Sequence, residues 1–196
     1  MADFVPMLPR LKRGVIGTEL LVRAARPGKA REDGAAPTLI DATAGLGEDA
    51  ILLAAAGYSV KMYERNPTIA ALLRDALDRA ADVPELTGIV SRMELVQADS
   101  IGAMRTLTGR VDVIYLDPMF PERKKSARIK KKFQLLEQLE KPSVNNEEEL
   151  LGAAIAARPR KIVIKRPAKE PPLGGISPDY SISGKAVRYD CLVYTI

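Results

Sequence analysis

Short apolar runs alternate along this chain with longer stretches in which apolar residues return every three or four positions. Leu39-Ile40 ends in Asp41, passes Gly45 and Gly47, and opens into Ile51-Leu52-Leu53-Ala54-Ala55-Ala56, which reads as strand, tight turn and helix start. Ser59–Glu64 alternates as a second strand, and Asn66-Pro67 then offers a cap followed by proline at the first helical position. Ile69, Ala70, Leu72, Leu73, Ala76, Leu77 and Ala80 share one face, which predicts an amphipathic helix over 67–82. Strands follow at 93–97, 111–116, 161–165 and 187–196, the last pairing with a stretch near 180–183; a short helix runs to about Leu107 and another spans 147–157, capped by Asn145 or Asn146. Ile129, Phe133, Leu136 and Leu139 form a further helical stripe. Residues 1–9 read as a loose arm, 18–25 as a short helix capped by Thr18, and 26–37 as a surface loop.

Strands separated by helices at this spacing imply right-handed βαβ units, hence an α/β protein with a mostly parallel sheet covered by helices on both faces. Ligands of such sheets bind beyond the carboxyl ends of the strands. Asp41, Glu64, Asp99 and Asp117 each end or closely follow a predicted strand, so they fall on one edge. The expected organisation is an N-terminal basic arm and short helix over 1–37 and one catalytic domain over 38–196.

Composition narrows the chemistry. The chain has no histidine, which removes the commonest general base and the commonest metal ligand, so no metal site is expected. A single cysteine, Cys191, excludes an internal disulfide, and the lack of a long apolar run or leader pattern points to a cytoplasmic protein. Net charge is +5, but residues 10–13, 122–132 and 158–169 together carry +15 against −10 for the remainder. That segregation suggests a polyanionic partner; solvated lysine-rich helix faces are the plainer alternative.

The turn fits G-x-G-x-x-A, a pattern shared by dinucleotide folds and ordinary glycine turns. Glu64, at the end of the second strand, can accept from both hydroxyls of a ribose, or be a surface acid. Asp99-Ser100 can accept from an adenine amine, or cap a helix. Asp117-Pro118-Met119-Phe120 sets a carboxylate on a proline-stiffened turn beside an aromatic ring, which suits an amine-bearing planar base: the acid accepts N–H protons and the ring stacks. A plain turn with a core phenylalanine is the other reading.

Four motifs in order carry a resemblance that covers about residues 10–194: Asp41 to Ala50, Glu64-Arg65-Asn66-Pro67, Tyr115 to Pro121 with Lys125-Ser126-Ala127, and Val163 to Pro167. Together they resemble the small-subunit ribosomal RNA guanine-N2 methyltransferases of the RsmJ type. The resemblance implies a Rossmann-like class I methyltransferase fold, a seven-stranded sheet with one antiparallel strand near the C-terminus, and S-adenosylmethionine as cofactor. It places cofactor contacts on Glu48-Asp49, Glu64-Arg65, Asp99-Ser100 and Asp117, beside the turn residues Asp41, Ala44, Gly45 and Gly47. The chain departs from the family in lacking an additional N-terminal segment and in carrying Glu48 where a basic residue is usual, which bear on RNA docking and on how the methionine end is held.

The expected activity is methyl transfer to the exocyclic N2 of a guanine in 16S RNA, free or in the small subunit, with Asp117, Pro118 and Phe120 orienting the base. Lys12, Arg13, Arg123, Lys124, Lys125, Lys130, Lys165 and Arg166 are expected to hold RNA phosphates. Competing readings are a methyltransferase acting on another RNA, DNA or protein amine, a non-catalytic RNA-binding or assembly factor on the same scaffold, and an NAD-dependent oxidoreductase. The sequence leaves the oligomeric state open.

Overall fold

The computed structural model describes residues 2–28, 33–118 and 145–194. Seven strands form one sheet: β1 (Thr38–Asp41), β2 (Ser59–Tyr63), β3 (Met93–Val96), β4 (Val113–Leu116), β5 (Lys161–Pro167), β6 (Tyr180–Ser183) and β7 (Val187–Val193). Their order is β3-β2-β1-β4-β5-β7-β6. β1 to β5 are mutually parallel, and β7 lies antiparallel to both β5 and β6, so it alone runs against the rest. The chain order reverses at β1, which opens a crevice above the carboxyl ends of β1 and β4.

Period-two alternation splits the strand side chains between two cores. Leu39, Val60, Met62, Val113, Tyr115 and Val163 face one layer. It comprises α1 (Leu8–Leu11), α2 (Arg13–Ile16), α3 (Leu20–Ala25), α4 (Glu48–Ala55), α5 (Pro67–Ala81) and α6 (Pro84–Val90). Ile40, Ile114, Leu116, Ile162 and Ile164 face the other, built on α7 (Ser100–Arg105) and α8 (Asn145–Ala156). The expected cap of α5 is present, with the Asn66 side chain accepting from the amides of Thr68 at 2.9 Å and Ile69 at 3.3 Å.

Several expectations change. Residues 1–9 are not a loose arm: Ala2 and Phe4 are buried, and a 3-10 turn (Val5–Met7) leads into α1. The whole N-terminal segment therefore shares its core with the sheet, through Leu11, Ile16, Leu21 and Val22. Thr18 does not cap α3; its hydroxyl donates back to the Val15 carbonyl at 2.7 Å, and Glu19 occupies the N-cap position. β4 starts at Val113 because Asp112 is used as a clasp, its Oδ2 accepting from the Thr38 amide at 2.8 Å and hydroxyl at 3.1 Å. α6 is an element the sequence reading lacks. The stripe of Ile129, Phe133, Leu136 and Leu139 lies outside the described residues.

Candidate active site at the carboxyl ends of the strands

The turn after β1 is the floor of the site. Gly45 (φ 51°) and Gly47 (φ 76°) both take left-handed backbone, and Gly47 caps α4 in that conformation. A side chain at 47 is also barred sterically, since its Cβ would lie 2.7 Å from Leu73 Cδ1 and 3.2 Å from Phe4 Cζ. The turn is fastened to the end of β2: the Ala44 amide donates to the Tyr63 carbonyl at 3.1 Å, and the Gly45 amide to Glu64 Oε2 at 3.0 Å. Glu64 Oε1 accepts from the Asn66 amide at 2.7 Å, so the carboxylate is buried across the gap between two turns.

Asp41 is 1% exposed, and its Oδ1 accepts from the Thr43 amide at 3.1 Å. Burial pushes its carboxyl up to about 8, against the opposing pull of that amide. Thr43 then bridges to the neighbouring strand end, its hydroxyl oxygen accepting from the Asp117 amide at 2.7 Å. The two turns that follow β1 and β4 are thereby locked together.

Asp117 meets Lys165, whose ammonium stands 2.8 Å from Asp117 Oδ2 and 2.8 Å from Asp49 Oδ2. Asp49 Oδ2 also accepts from the Tyr115 hydroxyl at 2.6 Å. This follows from the register, because Leu116 pairs with Ile164 and the next step along both strands sets Asp117 beside Lys165. Burial raises the Asp117 carboxyl to about 6, with the Lys165 charge resisting and Asp49 adding to the rise. Against its own desolvation, Lys165 is held above the ordinary lysine range by Asp49 and Asp117. Tyr115 is pushed well above its usual value, first by burial and then by Asp49.

At the end of β3, Asp99 caps α7, accepting from the amides of Ile101 at 3.4 Å and Gly102 at 3.2 Å; Ser100 beside it is buried. Glu48 and Arg65 are exposed at the rim. Ala44 is buried within the turn, and Pro118 is buried beyond Asp117.

Of the residues expected to touch RNA, the described ones do not share one surface. Lys12 is exposed. Arg13 lines a cavity of about 270 Å³ with Arg26, Pro37 and Tyr58. Pro37 and Tyr58 immediately precede β1 and β2, so Arg13 sits at the edge of the sheet opposite the site. Lys165 is committed to two carboxylates. Arg166 is 5% exposed, its Nε donating to the Pro171 carbonyl at 3.1 Å with Glu147 3.6 Å away. We therefore remove Lys165 and Arg166 from the expected phosphate surface: their charges are met from within the protein. Lys161 belongs elsewhere too, its ammonium buried at the start of β5 among the carbonyls of Ala24 and Arg26 and the Tyr180 hydroxyl. Phe120, Arg123, Lys124, Lys125 and Lys130 lie outside the described residues.

Thr43, Tyr115 and the true partners of Lys165 are what the sequence reading missed. Tyr115, on β4 two residues before Asp117, was the available signal, since continuing the strand's period of two turns both toward the same layer.

The donor set can be tested against a ligand. Asp41, Glu64, Asp99 and Asp117 form a row of acids along one edge, and the charge on Glu64, Asp99 and Asp117 is hostile to a pyrophosphate. It suits S-adenosylmethionine, whose ribose hydroxyls and adenine amine are donors and whose sulfonium and amino groups are cationic. Glu64 and Asp99 already accept backbone amides, yet each carboxylate oxygen has more than one lone pair to offer. The residues present thus fit this cofactor. Among the described residues, no group of His, Cys, Asp or Glu side chains is arranged to hold a metal ion, and no helix is long and apolar enough to cross a membrane.

Comparison with known proteins agrees with the motif resemblance. A family model described as "Putative SAM-dependent methyltransferase" matches residues 1–195. Ribosomal RNA small subunit methyltransferase J of Pseudomonas fluorescens is 45% identical over 161 residues, 80% of this chain and 60% of that protein. Its namesake in Hydrogenovibrio crunogenus is 45% identical over 82% of this chain and 58% of its own length. The chain thus spans about 60% of the length of these curated relatives. A SAM-dependent methyltransferase from Neisseria gonorrhoeae superposes with a TM-score of 0.76 at 31% identity, over 98% of this chain and 74% of the other. With a row of acids above a β3-β2-β1-β4-β5-β7-β6 sheet, and a family match along almost its whole length, the chain belongs to the SAM-dependent methyltransferase family.

Proposed function

We propose that this protein transfers a methyl group to the exocyclic N2 of a guanine in small-subunit ribosomal RNA. The observation that carries the reading is the placement of Asp117-Pro118: the turn follows β4, is pinned to the turn after β1 through Thr43, and offers a carboxylate beside the proposed methyl-donor cradle. The names of the relatives support the RNA substrate.

S-adenosylmethionine supplies an electrophilic methyl group on a sulfonium. Glu64 would accept from its ribose hydroxyls, Asp99 from the adenine amine, and the turn with Asp49 would hold the methionine end. Toward the acceptor, Asp117 and the Pro118 carbonyl take the N2 protons, with Phe120 stacking on the base. These acceptors favour a pyramidal nitrogen, whose lone pair is otherwise delocalised into the ring. When bound, S-adenosylmethionine would supply the methyl carbon to that lone pair and take back the C–S electron pair, and the amine would give up one proton. With Asp117 at about 6, its carboxylate is ionised at neutral pH and able to receive that proton. Most of the acceleration is positioning of two reactants. A paired guanine would first have to be extruded from its helix.

Incubation with labelled S-adenosylmethionine and unmodified small-subunit RNA or particles, followed by nucleoside mapping, tests this. N2-methylguanosine is expected, lost in Asp117→Ala. Label on a different base or on protein, or full transfer by a folded Asp117→Ala variant, overturns it.

A further inference from the structure

Lys165 is a charged side chain that the sequence assigns to RNA and the structure turns inward. Three elements converge on its ammonium: Asp49 from the first turn of α4, Asp117 from the end of β4, and Lys165 itself from β5. Both contacts are 2.8 Å and both use an Oδ2 atom, so two carboxylates crowd one cation. Asp49 has a second donor on the same oxygen, the Tyr115 hydroxyl at 2.6 Å. The Asp117 carboxyl has no such help from tyrosine; its backbone, not its side chain, is what Thr43 holds.

We propose that Lys165 is a positioning residue of the methyl-transfer site, whose ammonium fixes the Asp117 carboxylate as an acceptor for the target amine and ties it to Asp49 on the cofactor side. The inference rests on the reading of Asp117 given above. Carboxylates this close repel one another, and without a cation between them one takes a proton. That one is Asp117, since Asp49 keeps the tyrosine hydroxyl. A protonated carboxyl donates through its O–H, so it no longer offers a full set of acceptors to an amine. Lys165 thus acts on the reaction through Asp117 and has no need to touch either substrate.

The groups that bear on Asp117 come from every neighbouring element: Asp41 at the end of β1, Asp49 on α4, Tyr115 on β4, Lys165 on β5 and Tyr189 on β7. Asp41, at about 8, and the tyrosines, both raised, titrate on the alkaline side of Asp117. The acid limb of the rate profile is therefore a readout of Asp117.

The test is the pH dependence of methyl transfer to small-subunit RNA by the full chain, with kcat and KM for RNA separated. Wild type is compared with Lys165→Met, Lys165→Arg and Asp117→Ala, and folding is checked by circular dichroism. In Lys165→Met the acid limb moves up by about two pH units, so that kcat at pH 7 falls about tenfold, with KM for RNA little changed. Lys165→Arg restores the charge, and with it the limb and most of kcat. An unmoved limb in Lys165→Met, an equal loss in both variants at every pH, or a rise in KM alone overturns the proposal. Should Lys165→Met not fold, Asp49→Asn at saturating cofactor tests it from the other side: with one negative charge gone the limb moves down, and an unmoved limb counts against the proposal. Full activity of Asp117→Ala instead overturns the underlying reading, whatever Lys165 does.

Discussion

The Gly45 amide donates to Glu64 Oε2 at 3.0 Å, so the acid that ends β2 braces the turn that follows β1. Its second oxygen is occupied by the Asn66 amide at 2.7 Å. Glutamine has a single acceptor oxygen, and its NH2 group would face one of these two N–H donors. Glu64→Gln should therefore lose about 1–3 kcal/mol of stability and bind S-adenosylmethionine more weakly. Thermal melting and calorimetry check both effects. A variant that weakens binding without lowering Tm would mean that the brace contributes nothing to the turn.

Phe4 and Leu73 meet above Gly47, leaving no room for a β-carbon. Phe4→Ala should cost about 3–5 kcal/mol, as for other fully buried aromatics. Gly47→Ala should cost about 1–3 kcal/mol, since it combines overpacking with a backbone angle that disfavours a side chain. Urea unfolding measures both. Deleting the ring from Gly47→Ala removes one of the two clashing partners, so the double variant should lose less than the sum of the singles.

Asp41 gives the fold a pH dependence. Its carboxyl is raised to about 8, so the native state keeps a proton that the unfolded chain releases near the ordinary carboxylate value, about 3.9. The stabilisation is complete below that lower value and is lost as pH rises through about 8. Asp41→Asn remains neutral throughout and can still accept from the Thr43 amide. Between pH 5 and 9 the wild type should lose more Tm than the variant, by about 2–4 °C for each kcal/mol of the difference. Parallel Tm profiles would contradict this.

For RNA, the proposal keeps Lys12 and the basic residues of 122–132 as phosphate contacts. Replacing Lys124 and Lys125 with alanine should lower the slope of log K against log salt by about 2, without changing the base that is methylated. Arg166→Met should leave that slope where it is, because its guanidinium is engaged by Pro171 and Glu147. A drop in slope with Arg166→Met would return that residue to the RNA surface.

The sheet and the acid row were legible because their signals are local. β1 and β5 are built on short apolar runs followed by polar residues, β2 alternates, and α5 carries a cap, a proline and a regular stripe within sixteen residues, Asn66 to Ala81. α6 escaped because its seven residues include Gly88 and are too few to show a period. Ala2, Phe4 and Met7 are buried by a 3-10 turn and very short helices, which repeat nothing. Lys165 was misplaced for a different reason. Its partners are 48 and 116 residues away in the chain, so only strand register reveals that a basic run is pierced by a buried strand. Asp99 shows the converse: the carboxylate was visible at once, and the structure has it capping a helix, a role compatible with an additional ligand.

β7 lies between β5 and β6, although it is made after both. Among the described residues β6 pairs with no other strand, so its place in the sheet is fixed only when the later strand has inserted beside β5. Lys165 pairs across that same ladder with Tyr189, and β5 is an open edge until it forms. During synthesis the half of the sheet holding β1 to β4 can gather early, whereas the lysine that we propose sets the charge of Asp117 waits for one of the last strands. Closure of this ladder should therefore be a late, non-local step in folding, and methyl-transfer competence should be acquired with it.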